Sequence, residues 1–320
     1  MQRCEVDPPP FFHSAAFGTI CGLVAAVGYT ACNVCLRAVK DVDPFFVCTI
    51  RAIPTVLMPG PIVLARPFSG LPMLPPWRVV AILGATGLAG HVLGNGSFQY
   101  GLGIVGVALA VPLCLGSMIV GGATLGRVVL NEPITFRMAL GLALLVAAIF
   151  VLSGGAQKAS ESVHALTTSR QVALGVAACC ASGVFYAIMG AVLRHATRGL
   201  STLSQSLTIV STVGLVGLAG ISCSTVSASE LHAITFSDVL MMLAAGVLNA
   251  IAFVALTRAL QLMPLVYVHA LNATQATMAA VAGVLIFQEA QSSFLVSGVV
   301  LTIAGLLFMQ GGRHDPLEAA

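Results

Sequence analysis

Between Arg78 and Arg127 the chain runs through residues 79–126 without one Asp, Glu, Lys or Arg. A helix that long in water needs charges on its exposed face. A bilayer removes that need and admits only helices and closed barrels, because every backbone polar group must be satisfied inside the spanning structure. A spanning helix takes roughly 20 residues, so this interval has to hold two of them. Gly101, Gly103 and Gly106 mark the expected turn between them. Further charge-free runs cover 138–157, 171–193, 199–229, 239–257, 259–288 and 290–312. Only 8% of the 320 residues are charged and 58% are hydrophobic, a balance no water-soluble globule has.

Adding 14–36, and 45–66 with Arg51 inside it, gives ten expected spans. The others are 78–100, 104–127, 134–153, 171–193, 201–221, 237–258, 264–287 and 291–310. The expected fold class is an all-α membrane protein with ten transmembrane helices. Residues 1–13 carry Arg3, Glu5 and Asp7 before three prolines and do not read as a cleavable signal, so the first span is expected to be kept. Cysteines such as Cys32, Cys48 and Cys114 fall at membrane depth, where they act as small apolar residues. Lys and Arg gather on the cytoplasmic side of short-looped membrane proteins. With the amino terminus inside, Arg3, Arg66, Arg78, Arg127, Arg137, Arg194, Arg198, Arg258 and Arg313 lie inside, against Arg37, Lys40, Lys158 and Arg170 outside. Both termini are therefore expected in the cytoplasm, in an inner or plasma membrane.

Shifting the chain by 157 residues lays it over itself without gaps. Gly18 meets Gly175, Tyr29 meets Tyr186, Leu36–Arg37 meets Leu193–Arg194, Glu132 meets Glu289, and Gly154–Gly155 meets Gly311–Gly312. The organisation expected is a five-helix repeat over 14–155, an outer linker at 156–170, a second five-helix repeat over 171–312, and short cytoplasmic tails at 1–13 and 313–320. Five is odd, so the second half enters the membrane upside down relative to the first. Inverted repeats of this kind build transporters that expose a midplane site alternately to the two sides.

Asp43–Pro44 followed by Arg51, Pro112, and Leu130–Asn131–Glu132–Pro133 leading to Gly141 and Gly154 stand at matching places in this architecture. Gln288–Glu289, Gly298 and Gly311 echo the last of these elements. With ten spans in two halves, the chain resembles the drug/metabolite transporter superfamily, specifically its EamA-type members. The resemblance runs from about residue 14 to 312 and implies solute transport without naming the solute. The second half departs from it at Thr208, where a counterpart of Arg51 would stand.

Polar side chains at membrane depth mark inward faces. His91, Asn95 and Gln99 are spaced four apart and share one face of an ideal helix. This stripe either lines a cavity or forms a hydrogen-bonded seam between helices, and Gly90 and Gly94 beside it permit close approach of a neighbour. Asn272 and Gln275 repeat the pattern near His269, while Tyr29 with Asn33, and Tyr186 with Ser182, do so in the first helix of each half. The seventh span offers Gln205, Thr208 and Thr212. Helices one to four and six to nine are expected to surround the cavity, with 138–153 and 291–310 outside it as lipid-facing supports. The expected binding set is Tyr29, Asn33, Arg51, His91, Asn95, Gln99, Tyr186, Asn272 and Gln275.

Arg51 either snorkels to the interface or meets a substrate anion. No Asp or Glu falls mid-span, and Glu132, Glu289 and Asp238 are expected to cap the helices they open. A cavity without a carboxylate suits a neutral or zwitterionic, amino-acid-like solute better than a lipophilic cation. His91 is the expected proton-coupling group, if protons are co-transported. Cys32-x-x-Cys35 has no second pair and reads as packing. No nucleotide-binding, protease or hydrolase motif occurs, so no catalytic residue, metal or cofactor is expected, and the net charge of +3 is spread over loops, against a nucleic-acid partner. The expected partners are a small solute, the bilayer and candidate protons, with association as a homodimer left open. The competing class is a non-transporting scaffold, receptor or lipid-modifying membrane protein, and short loops count against it.

Overall fold

The computed structural model describes residues 14–37, 39, 42–105, 107–160, 169–278, 281 and 293–310, and every regular element among them is helical. Helix α1 (Ala15–Arg37) begins where the Ser14 hydroxyl accepts the Phe17 N–H at 3.1 Å. Helix α2 (Pro44–Leu57) explains the Asp43–Pro44 pair: Asp43 Oδ1 accepts the Phe46 N–H at 2.9 Å, and Pro44 stands in the first turn, where a missing N–H costs nothing. A break at Met58–Pro59 leads into α3 (Gly60–Ala65).

The third span is one rod, α4 (Trp77–Leu88), a π-helical segment Ala89–Asn95, and α5 (Gly96–Val105). It is longer than expected, and Gly101 lies within α5 rather than in a turn. Added bulk at Gly101 would meet the Gly175 carbonyl oxygen at 2.8 Å, so this glycine serves contact with another helix. Then come α6 (Val107–Val128), α7 (Phe136–Ser160) and α8 (Ser169–Ala196). Helix α9 (Leu203–Thr225), the short α10 (Ala228–Ala233), α11 (Phe236–Leu262), α12 (Leu265–Ala273) and α13 (Ser293–Gln310) complete the described chain. Asp238 caps α11 reciprocally with Thr235, as a carboxylate at a helix start should. Glu289, Gly311, Gly312, residues 161–168 of the linker and both tails lie outside the described residues.

Among the described residues six stretches are long and apolar enough to cross a membrane: Ala15–Leu36, Pro44–Ser69, Trp77–Leu102, Arg170–Ala196, Leu203–Thr225 and Phe236–Leu262. Helices α6, α7 and α13 hold shorter apolar windows, Leu113–Val128, Phe136–Val151 and Val296–Gly305. Large apolar side chains such as Val27, Ile82, Phe150, Val216 and Val247 are exposed. Lipid tails, unlike water, levy no cost for that exposure.

Helix α1 packs along α11, and α8 packs along the rod formed by α4, the π segment and α5. Helix α2 lies against α9 and α11, α9 also against α4, and α6 along α8. Helices α7 and α13 pair with each other, and α7 also touches α6. Close approach rests on small residues, as expected where lipid supplies no hydrophobic drive. Gly183 of α8 is so near α6 that a Cβ there would collide with the Cys114 carbonyl oxygen and stand 2.8 Å from the Met118 nitrogen. Gly183→Val is expected to cost about 1–3 kcal/mol, because backbone cannot rotate away as a side chain can. A lowered unfolding temperature in detergent is the readout, and an unchanged one would mean the two helices separate at no cost.

At the end of α6 the chain reverses through Asn131, whose φ of 54° is the left-handed conformation that Asn tolerates. The Glu132 N–H returns to the Gly126 carbonyl at 2.8 Å, and the Glu132 side chain is buried. Glu132 therefore does not cap α7, which starts at Phe136. Its Oε1 is 2.5 Å from Arg194 Nε, and its Oε2 accepts the Leu265 N–H of α12 at 2.9 Å. Arg194 also donates to the carbonyls of Leu260 and Met263 at the end of α11. It is only 2% exposed, so it is no loop charge, and the inner count of nine falls to eight against four outside.

Candidate functional site

A central cavity of about 130 Å³ lies between α1, α2, the π segment with α5, α6, α8, α11 and the stretch from α12 to Gln275. Most of its wall is apolar, with a few placed polar groups, the usual constitution of a small-molecule site. Helix α9, expected to contribute, adds no lining residue. It stands behind the wall, where Gly214 leaves room for the His91 imidazole and Gln205 donates to the carbonyls of Pro72 and Met73 at 3.1 Å each. Neither α7 nor α13 contributes a lining residue.

Tyr29, Asn33, Arg51, His91, Asn95, Tyr186, Asn272 and Gln275 all face this cavity. Gln99 does not, and Phe98 lines it instead. Ala89–Asn95 winds with i→i+5 bonding and brings His91 and Asn95 to the wall, whereas Gln99 lies a turn further on, in the α-helical α5. Gly90 and Gly94 admit Met189 and Tyr186 of α8 against the segment.

Arg51 does not snorkel. It is 8% exposed, and its guanidinium donates to Asn95 Oδ1 at 3.0 Å, with the Cys48 and Cys32 thiols beside it. The Tyr186 hydroxyl donates to the same Oδ1 at 2.6 Å. Asn95 thus ties α2 and α8 to the third span. Gln275 Nε2 donates to Asn272 Oδ1 at 2.6 Å where the chain of α12 meets the cavity. His91 packs its ring against Phe253, with centroids 6.4 Å apart, and its Nδ1 is buried without a partner among the described residues.

Two polar residues on the wall were absent from the expected set. His269 sits between Gly122 of α6 and Gly190 of α8, so His91 is not the sole imidazole at this depth. Asn249 of α11 faces the cavity with no hydrogen-bond partner among the described residues. Its signal was present: it is the lone amide in the charge-free run 239–257. Among the described residues no Asp or Glu lines the cavity.

Residues 16–154 match the model of the EamA-like transporter family. That stretch, somewhat under half of the chain, is similar to the EamA-like transporter family. That family lies within the drug/metabolite transporter superfamily, so the match points to a membrane transporter of that type. The EamA-like stretch holds Tyr29, Asn33, Arg51, His91 and Asn95. A solved crystal structure of another protein superposes on 92% of this chain and 98% of its own length, with a TM-score of 0.73 at 15% identity, and so shares its fold. No curated protein matches the sequence.

Proposed function

We propose that this protein is a secondary transporter that moves a small polar metabolite, neutral or zwitterionic, through the central cavity by alternating access. The observation that carries the reading is a cavity among helices long and apolar enough to cross a membrane, lined by polar groups that have no hydrogen-bond partner among the described residues: the Tyr29 hydroxyl and the amides of Asn33 and Asn249. Buried amides and hydroxyls are costly unless something bonds them, and a passing solute does so.

The mechanism rests on ten spans arranged as an inverted repeat, for which two features speak. Positions 157 apart line the same cavity in five pairs: 29 with 186, 32 with 189, 33 with 190, 115 with 272, and 118 with 275. The packing is reciprocal as well. The first helix of one half runs along the third of the other in both directions, α1 on α11 and α8 on the α4–α5 rod. Exchange of conformation between two such halves opens one face as it closes the other. The loop charges favour both termini in the cytoplasm of a cell membrane, and His91 is the candidate for any proton coupling.

Reconstitution into liposomes tests the reading. Vesicles preloaded with one unlabelled solute should accumulate its labelled form in counterflow, across a panel of amino acids, sugars and nucleosides. A monodisperse, thermally cooperative preparation that moves none of them would overturn it.

A further inference from the structure

The cavity is chemically lopsided. Arg51 brings a permanent positive charge into it, 92% removed from solvent, yet its contacts are the Asn95 amide oxygen and two thiols, all neutral. Among the described residues no carboxylate stands within ion-pair distance of it. The nearest acid on its own helix, Asp43, is committed at the helix start to the Phe46 N–H and to Thr225. A buried cation without a counter-charge is costly, and such residues persist where a ligand completes them.

The neighbours of Arg51 are oriented for an acceptor. Asn95 Oδ1 already receives two hydrogen bonds, from Arg51 and Tyr186, so the donors of that amide are left for the cavity. The Asn33 amide and Tyr29 hydroxyl, without hydrogen-bond partners among the described residues, line the same chamber as donors. Asn272 is hydrogen-bonded to Gln275, and among the described residues no carboxylate lines the chamber to compete for Arg51.

We infer that the solute carries a carboxylate, and that Arg51, braced by Asn95, is the group that holds it. The inference rests on the transport reading and narrows it: zwitterions and small monocarboxylates enter carboxylate towards Arg51, and neutral solutes are poor cargo. A guanidinium offers a planar pair of donors that matches the two oxygens of a carboxylate, and such charge-assisted pairs are roughly twice as strong as neutral ones. Asn95 is a positioning residue in this scheme, since its oxygen fixes the guanidinium fork.

The experiment uses the full chain, with L-amino acids and short monocarboxylates each paired with its own carboxamide, alongside chloride and inorganic phosphate. Thermal stabilisation of the detergent-purified protein reports binding, and counterflow in liposomes reports transport. The carboxylate member of the recognised pair should outperform its amide by about tenfold to a hundredfold, the worth of one charged hydrogen-bonded contact. Arg51→Gln should bring that ratio close to one, and Arg51→Lys should keep part of it. If Arg51→Gln fails to fold, Asn95→Asp decides: an internal carboxylate paired with Arg51 should raise the unfolding temperature while abolishing carboxylate-dependent stabilisation and flux. Asn95→Asp with a higher unfolding temperature and undiminished carboxylate flux would make Arg51 a structural residue and overturn the inference. Equal handling of amides and carboxylates by the wild type would also overturn it and leave transport standing, whereas absence of any flux would strike the transport reading itself. Stabilisation by chloride or phosphate as strong as by any carboxylate would make the site a general anion pocket and remove the carboxylate assignment.

Discussion

Replacing Glu132 with alanine is expected to lower stability by about 3–5 kcal/mol, because it leaves Arg194 charged and buried without its partner. Thermal unfolding of the detergent-solubilised protein measures it, and a change within error would mean Arg194 finds water or lipid headgroups on losing the pair. The sharper test reverses the charges. Arg194 donates to the carbonyls of Leu260 and Met263, acceptors that the end of α11 leaves without a helical partner. Glu132 accepts the Leu265 N–H, a donor that the start of α12 leaves without one. Pro264 separates the two helices and has no N–H to offer, so these ends depend on side chains. Each charge faces the helix end whose dipole favours it. In the double variant Glu132→Arg, Arg194→Glu, a carboxylate would meet carbonyls and a guanidinium an N–H, so stability should stay as low as in the single variant. Recovery to wild-type stability would show that only the mutual attraction matters. The clamp adjoins the cavity wall at Leu193 and Leu260, and it joins a residue of the first half of the chain to three elements of the second. A cavity opening at this end has to part it.

The clamp also marks where reading the sequence stops short. Charge-free runs such as 171–193, 199–229 and 239–257 translate directly into helices long and apolar enough to span, because the bilayer imposes one rule on every segment, and the Asp43–Pro44 start is legible because a cap acts within four residues. Glu132 is different. A carboxylate beside a helix start is recognisable locally, but it serves α12, 133 residues away, and nothing in the local pattern names that helix. Arg194 looks like a loop charge for the same reason, since its counter-charge is distant in the chain. The wall of the cavity was readable wherever polar residues stood out against apolar helices, as at Tyr29, Asn33 and Asn95. It failed at Gln99 because spacing shows which residues share a face but not how far along the helix the cavity extends, and Phe98 is the last lining residue on this rod.

Asn249→Phe is expected to reduce flux on the order of tenfold or more, the scale on which pockets reject even one surplus methylene. Asn249 projects into the cavity from α11 and holds no partner among the described residues, so replacing it breaks no hydrogen bond of the fold. The added ring enters space that a solute would occupy rather than packed protein, so the unfolding temperature should stay within the shift of about 0.5 kcal/mol typical of sites away from the core. Val247, two residues earlier, faces outward at 47% exposure, so Val247→Phe adds bulk to the same helix on the opposite side and should leave both flux and stability unchanged. The pair separates a blocked pathway from a perturbed helix. Full flux in Asn249→Phe would place the route of the solute outside this cavity. Lost flux in both variants would trace the effect to α11 as a moving element, because a helix that slides past α1 during alternation cannot carry a new ring on either face.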